Sequence, residues 1–153
     1  MKVDREGVRD LINRSCLLLD EERFQEYLDL YVDDFRYRVT AFSHELRKEM
    51  VWLDLGRTDL KDMFEMLPEH VKPAGTFARH VNICAIQQNG GADLLEAVST
   101  LAIYFTDQQG QTRILGIGRY KDSIDVSANE PRLREREVRL DTRALGAGSL
   151  IPF

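Results

Sequence analysis

The second half of the chain is a series of long segments with β-strand character separated by turn sequences, and this pattern limits the possible folds more than any other feature. The predicted strands cover residues 77–87, 94–105, 112–126 and 133–140. Asn89-Gly90-Gly91 is typical of a tight hairpin, and Asp107 to Gly110 and Asn129 to Pro131 predict two further turns. Short connections join neighbouring strands in antiparallel fashion, so this half of the chain predicts an antiparallel sheet.

The first part of the chain has helical periodicity. Its apolar residues recur at spacings of three and four, namely Val8, Leu11, Ile12, Leu18 and Leu19. Asp20 followed by two glutamates predicts the N-cap of a second helix. Phe24, Tyr27, Leu28 and Tyr31 would form one apolar face of that helix, which we expect to end at Asp33-Asp34.

Between the helical region and the sheet region, the apolar residues follow strand periodicity first and helical periodicity afterwards. Residues 35–39 alternate apolar and polar side chains, as a half-buried strand does, and residues 50–55 predict another strand that buries Trp52. Leu60, Met63, Phe64 and Leu67 predict a short amphipathic helix closed by Pro68.

The order of these elements predicts an α+β fold. A strongly bent, mixed but mainly antiparallel sheet wrapped around the N-terminal helices would bury the apolar faces of both, and would form a cone with an interior pocket. We find neither a repeat nor a linker, so residues 1–153 are expected to form one domain.

Charge and composition limit which kinds of partner molecule and which cellular location we expect for this chain. The net charge is −5, with acidic and basic residues interleaved, which argues against a nucleic-acid partner. No apolar run approaches the roughly 20 residues of a membrane span, and the first residues lack the apolar core of a signal peptide. We therefore expect a cytoplasmic chain, in which Cys16 and Cys84 are both buried thiols.

Four stretches of the sequence resemble one known family, and they are Leu17 to Tyr27, Tyr31 to Tyr37, Gly118 to Asp122, and Arg136 to Asp141. Together with Arg79-His80-Val81-Asn82, they are similar to the β subunits of Rieske-type aromatic-ring-hydroxylating dioxygenases. These subunits belong to the nuclear-transport-factor-like, SnoaL-like superfamily of cystatin-type cones. The stretch from His44 to Gly75 departs most from the family pattern.

The resemblance implies a small, non-catalytic subunit. Its partner would be a large α subunit that carries a Rieske [2Fe–2S] cluster and a mononuclear iron, with three β subunits forming a base in an α3β3 particle. The β subunit would support the assembly and stability of an enzyme that degrades aromatic or related compounds.

The residue types agree with an absence of catalytic, cofactor-binding or metal-binding residues in this chain. A Rieske cluster needs closely spaced pairs of cysteine and histidine, and neither cysteine here has such a neighbour. A mononuclear iron needs two histidines and a carboxylate, whereas His44, His70 and His80 are scattered along the sequence.

Two alternatives from other functional classes remain. The chain could be a stand-alone cone enzyme, such as a dehydratase, isomerase or cyclase, that uses an inward-facing His80 with Asp34 and the Tyr37 hydroxyl as acid/base groups. It could also be a ligand-binding or assembly module without turnover.

Several charged and apolar residues near the C-terminal end suggest interfaces. Arg119 and Asp122 should point to opposite faces of their strand, and each either forms its own cross-strand ion pair or, for Arg119, contacts a partner subunit. On the last strand, Leu133 is expected to share a face with Glu135 and Glu137. The apolar segment from Ala144 to Phe153 is expected to be disordered or docked on a neighbouring subunit.

Overall fold

In the part of the chain that the structure describes, one six-stranded mixed sheet packs with three helices. The computed structural model describes residues 4–66, 74–88, 91, 93–141 and 153. The strand order is β2-β1-β6-β5-β4-β3. The elements are α1 (Arg5–Asp20), α2 (Phe24–Leu28), β1 (Tyr31–Ser43), β2 (Lys48–Leu55), α3 (Arg57–Met66), β3 (Gly75–Gln88), β4 (Leu94–Asp107), β5 (Thr112–Asp125) and β6 (Arg132–Leu140).

The predicted antiparallel meander is confirmed. Strands β3, β4, β5 and β6 pair antiparallel in sequence order, and β1 pairs antiparallel with β2 and parallel with β6. The parallel pair requires a crossover, which the chain makes by passing from β2 through α3 to the far edge of the sheet. The fold is therefore α+β with a mixed, mainly antiparallel sheet, as the sequence predicts.

Some strands contain an extra residue that interrupts the pairing register. Each extra residue changes which face of the sheet the following side chains occupy. Register shifts occur between Ile83 and Ala85 in β3 and opposite Tyr104 in β5. Another lies between Ser123 and Ile124, where β6 has the extra residue. Each such bulge bends its strand and moves every following side chain to the other face.

The bulge in β6 overturns the predicted face of Leu133. Leu133 is fully buried and lies on the core side with Arg136 and Val138, whereas Glu135 is exposed. The sequence pattern places Leu133 with the glutamates because it assumes an uninterrupted period of two. One extra residue in the strand reverses that assignment.

Two more expectations fail at bulges. Cys84 is the extra residue of β3 and is exposed, while Cys16 is buried as predicted, and both thiols are free. Trp52 is skipped in the pairing of β1 with β2, and it is partly buried at the edge of the core. A bulged residue has no opposite partner that would hold it against the core.

The second helix is much shorter than predicted. Asp20 ends α1, Arg23 occupies the N-cap position of α2, and Glu22 between them has a positive φ of 58°. Tyr31 begins β1, where it pairs with Leu133. The main chain of Leu30 also accepts a hydrogen bond from the Leu133 N–H at 2.8 Å, so the sheet captures the backbone that would have continued the helix.

The core lies between α1 and the concave face of the sheet. Helix α1 buries Val8, Ile12, Cys16 and Leu19, which the helical spacing predicts. Helix α3 contributes Leu60 and Phe64, while Leu67 and Pro68 lie outside the described residues, as do Asn89 and Gly90 of the predicted hairpin turn. Within the described part of the chain, no helix is both long and apolar enough to span a membrane.

Gly118 permits the close packing of β5 against β6, and replacing it by alanine should destabilise the fold. A Cβ at this position would overlap the carbonyl oxygen of Arg139 in the adjacent strand. We expect Gly118→Ala to lower the free energy of unfolding by about 1–3 kcal/mol in urea titrations, as overpacking does. Gly91→Ala is the control, because nothing lies within 4 Å of its Cβ position; an equal loss in both variants would contradict this explanation.

The Asp125 carboxylate organises the connection from β5 to β6 and gives a pH-dependent contribution to stability. Its oxygens accept bonds from the Ser127 N–H at 2.8 Å, the Ser127 hydroxyl at 2.6 Å and Arg134 at 2.9 Å. The hydrogen bonds from Ser127, and then the one from Arg134, lower the pKa of Asp125 from 3.8 to about 2.

The lowered pKa of Asp125 predicts a stability change in acid. Because the folded pKa lies below the unfolded one, this contribution is present above about pH 4 and is lost as the pH falls towards 2. Ser127→Ala should raise the pKa of Asp125, measured by NMR titration of its carboxyl carbon. An unchanged pKa in this variant would show that Ser127 has no such influence.

Candidate functional site

A fully buried ion pair occupies the interior of the cone. Asp122 on β5 and Arg136 on β6 are direct partners in the strand register, and both side chains point to the concave face. The Arg136 Nε and Nη2 atoms donate to the two Asp122 carboxylate oxygens at 2.8 and 3.1 Å. Both side chains have no solvent exposure, so this is a bidentate pair held away from water.

Helix α1 and the aromatic residues complete the coordination of Arg136. Its Nη1 atom donates to the Ser15 hydroxyl at 3.0 Å, and Ser15 in turn donates to the Ile12 carbonyl at 2.6 Å. The guanidinium carbon lies 3.9 Å from the centre of the Tyr120 ring, a cation–π contact. The pair therefore joins two strands to the helix that fills the cone.

Burial and nearby charges shift the pKa of Arg136 and of the neighbouring tyrosines further from neutral pH. Burial lowers the pKa of Arg136, but the charge of Asp122 and the nearby tyrosines raise it well above its ordinary value overall. Burial also raises the pKa of Tyr27, Tyr31 and Tyr120, and the Tyr27 and Tyr31 hydroxyls lie 2.6 Å apart. A general acid or base needs a pKa near the working pH, so this cluster is suited to holding the fold together rather than to proton transfer.

A second pair anchors the end of α1 to β3. The Arg79 guanidinium donates to Asp20 at 2.6 Å, and the Arg79 backbone N–H donates to the other Asp20 oxygen at 3.1 Å. The Arg79 side chain is only 2% exposed. Arg79 thus has a structural contact that sequence reasoning missed, because Asp20 was assigned to capping a helix.

The proposed acid/base residues are not brought together. His80 is exposed on the outer sheet face, where its ring lies edge-on to Tyr104 at 5.0 Å. Asp34 is exposed and lies 3.7 Å from Arg134. Tyr37 is the one member of this set that faces the interior. The strands of His80 and Asp34 are separated by β4, β5 and β6, so the geometry does not support the alternative with an inward-facing dyad.

The structure also shows where the other described histidine, Arg119 and Asp122 lie. His44 is exposed and lies edge-on to Phe42, and His70 lies outside the described residues. Asp122 forms the cross-strand pair with Arg136, while Arg119 is exposed on the opposite face, as the strand period predicts. Within the described part of the chain, no three metal-ligating side chains are grouped.

The outer face of the sheet, turned away from α1, has an apolar strip. The pairs Ala78–Tyr104, Tyr104–Ile114 and Ala102–Ile117 are direct neighbours across β3, β4 and β5, and we call these five residues the outer strip. Ile114 is 54% and Ile117 43% exposed. A depression of about 360 Å³ is lined by Ala102 and Ile117 of the strip and, at its polar side, by groups including Arg119 and Asp141. An apolar centre with a polar rim is typical of a protein–protein interface.

Charged side chains cover the outer face towards β1 and β2. Glu137 accepts bonds from the Thr40 hydroxyl at 2.9 Å and from Arg38 at 3.4 Å, and Arg139 pairs with Glu49. Arg36 pairs with Asp54 at 2.8 Å. The exposed Arg36–Asp54 pair contributes little stability by itself, whereas the bonds of Glu137 are partly buried.

Removing Arg136 should destabilise the protein strongly. Arg136→Met leaves Asp122 buried without its partner, so we expect a loss of about 3–5 kcal/mol in the free energy of unfolding. Arg132→Met, on the same strand but exposed, should cost less than about 1 kcal/mol. The double variant Arg136→Met/Asp122→Leu should recover much of the loss, because neither charge is then left buried. A loss below 1 kcal/mol for Arg136→Met would contradict the assigned role.

The sequence is similar to two oxygenase subunits over nearly its whole length. It is 30% identical to the 2-aminobenzenesulfonate 2,3-dioxygenase subunit beta of an Alcaligenes species, over 99% of this chain and all of the relative. It is 28% identical to the methanesulfonate monooxygenase hydroxylase subunit beta of Methylosulfonomonas methylovora, over 97% of this chain and 86% of the relative.

Solved structures share the fold. The beta subunit assigned to an aromatic-ring-hydroxylating dioxygenase of Novosphingobium aromaticivorans superposes with a TM-score of 0.82 at 24% identity, covering 96% of this chain and 94% of that one. An NTF2-like protein of the same organism with a cystatin-like fold superposes with a TM-score of 0.67 at 19% identity, covering 98% of this chain and 90% of that one. The predicted cystatin-like cone is thereby confirmed.

A family model provides the assignment. The model described as "Ring hydroxylating beta subunit" matches residues 14–147, which include the C-terminal part of α1, all six strands and the buried Asp122–Arg136 pair. The two relatives, both named as beta subunits of oxygenases, match over 99% and 97% of this chain. The chain belongs to the family of ring-hydroxylating oxygenase beta subunits.

Proposed function

We propose that this chain is the small, non-catalytic subunit of a bacterial ring-hydroxylating oxygenase, and that it supports the assembly and stability of a large α subunit. The observation that carries the proposal is that side chains of the described residues fill the interior. Arg136, Asp122 and the tyrosines fill the part of the cone where an enzyme of this shape would need an open pocket. The family membership supports the same role.

The chemistry of the complex belongs, in this proposal, to the α subunit. That subunit would hold the Rieske cluster and the mononuclear iron, and this chain would hold neither. Among the described residues, His44 lies in the turn between β1 and β2, and His80 lies on β3. Both histidines are exposed. The proposal also treats residues 1–153 as one domain, which the continuous sheet and core support, in a complex located in the cytoplasm.

The outer strip is the surface we assign to contact between copies of this chain. Exposed isoleucines beside a tyrosine are costly in water, and a second copy could cover them. Three copies joined in this way would form the base of an α3β3 particle. Arg119, on the same face next to Ile117, would then be an interface arginine.

The relatives indicate which substrates to test first. Both the dioxygenase and the monooxygenase relative act on sulfonates, one aromatic and one aliphatic. We therefore place sulfonated compounds, together with benzoates, at the start of a substrate panel for the complete complex. Oxygen uptake by the purified complex, supplied with its electron-transfer partners, measures each candidate.

Native mass spectrometry with iron analysis tests the proposal directly. The tagged chain is recovered from its own host, and we expect a large particle with equal copies of this chain and of a heavier iron-bearing protein. A homodimer or homotrimer without iron, active on its own, would contradict the subunit assignment. It would instead support the stand-alone cone enzyme, although the exposed positions of His80 and Asp34 do not favour that alternative.

A charge placed in the outer strip should prevent self-association. Ile117→Asp puts a carboxylate at the centre of the proposed contact, so we expect the trimer to fall to monomers in analytical ultracentrifugation while circular dichroism is unchanged. Leu46→Asp in the turn between β1 and β2 is the matched control, since Leu46 is 60% exposed but lies at the other end of the sheet from the strip. If both variants, or neither, lose the trimer, the strip is not the self-contact surface.

A further inference from the structure

Arg119 lies on the outer face of β5 without a counter-charge from the described part of its own chain. In the strand registers it is directly opposite Thr100 of β4 and Arg139 of β6. The nearby carboxylates pair with Arg139 instead, which contacts Glu49 and Glu137. Like charges directly across two strands repel each other, so the fold gives Arg119 a cationic neighbour and no acidic one.

Asp141 lies on the same face, beside the outer strip. Its backbone N–H donates to the Ile117 carbonyl at 2.8 Å, which continues the pairing of β6 with β5. Its side chain is exposed, and Asp141, Ile117 and Arg119 all line the depression of about 360 Å³. Among the described residues, Asp141 forms no ion pair, with Arg119 or with any other cation. The rim of the strip therefore carries one unpaired positive charge and one unpaired negative charge.

The last residue of the chain does not cover this face. Phe153 is 2% exposed within the core cluster, and its N–H donates to the Tyr37 hydroxyl at 3.1 Å in the interior. The sequence predicts that the segment from Ala144 to Phe153 is disordered or docked on a neighbouring subunit. Its final residue is instead docked on its own chain, and residues 142–152 lie outside the described residues.

A rim that carries both charges is complementary to a copy of itself. Around a closed rotational axis, each copy turns one side of the same surface towards one neighbour and the other side towards the next. Arg119 of one copy can then face Asp141 of the next, with the apolar centres meeting between them. A partner of another sequence would need its own matching charges, whereas a second copy always has them.

We propose that Arg119 of one copy pairs with Asp141 of a second copy, and that this ion pair sets the orientation of the contact between outer strips. The inference rests on the self-contact of this chain proposed above. Burial of Ile114 and Ile117 supplies the non-directional part of the attraction. The ion pair selects one orientation, because like charges brought together at an interface are costly.

Charge reversal of each residue in the full-length chain tests the pair. Arg119→Glu and Asp141→Arg each place two like charges together, so we expect each to weaken self-association by roughly a hundredfold or more in analytical ultracentrifugation. The double variant Arg119→Glu/Asp141→Arg carries the reversed pair and should associate as the unaltered chain does. Arg132→Glu and Glu130→Arg are the matched controls and should leave association unchanged, since both residues are exposed near the opposite end of β5 from the strip.

A mixture of the two single variants separates a contact between copies from an effect inside one copy. In the mixture, the new glutamate of one variant can face the new arginine of the other, and the unaltered Arg119 and Asp141 can also face each other. Native mass spectrometry should therefore show a 1:1 heterodimer, although neither variant associates alone. Absence of the heterodimer, or a double variant that stays monomeric, overturns the proposal.

The outcomes distinguish failure of this pair from failure of the proposed function. Retention of the trimer in both single reversals, together with its loss in Ile117→Asp, overturns the ion pair and leaves the strip as the self-contact surface. An unaltered chain that sediments as a monomer overturns the pair and the self-contact together. Recovery of the chain with an iron-bearing partner is a separate measurement, which tests the subunit assignment.

Discussion

The ion pair between Arg136 and Asp122 is the interaction on which the rest of the structure depends. Burying two charges is costly, and the cost is offset only when geometry and hydrogen bonding are nearly complete. Here the carboxylate accepts two bonds from the guanidinium, whose third nitrogen bonds Ser15 and whose face lies on the Tyr120 ring. Helix α1 must therefore sit in one position relative to β5 and β6, and the strand register is fixed with it.

Because of this arrangement, the two faces of the sheet have different surroundings. The concave face is closed by the ion pair, the tyrosine pair and Phe153, and all of these are hidden from solvent. The outer face carries exposed isoleucines beside a field of paired charges. The outer face is therefore the surface that we propose for contact with other subunits, in keeping with membership of a beta-subunit family.

The sequence predicted the element types well where a regular period was uninterrupted. Apolar spacing predicts the buried face of α1, the strand β1 around Tyr37 and the four-strand meander. The errors at Leu133, Cys84 and Trp52 share one cause, because a single bulge reverses every later side chain of a strand. The helix predicted through Tyr31 failed because pairing with β6 outweighed its local helical pattern.

The candidate site was predicted only in part. Family resemblance pointed to the stretches that contain Asp122 and Arg136, yet the strand period assigned Asp122 only to the face opposite Arg119 and left its partner open. Local sequence has no signal that joins residues 14 positions apart into one buried pair. The wrong placement of His80 had the same origin, since a residue near the start of a strand can face either way until the register is known.

By itself, the sequence determined the fold class, the order of helices and strands, and the family, because these depend on local periodicity and on similarity spread over the whole chain. Tertiary structure decided which face each side chain occupies, that the interior is filled by Arg136 and Asp122, and that Phe153 lies against Tyr37. These properties arise from bulges and from contacts between residues 14 to 116 positions apart. Such contacts are set by packing in three dimensions, which no local pattern encodes.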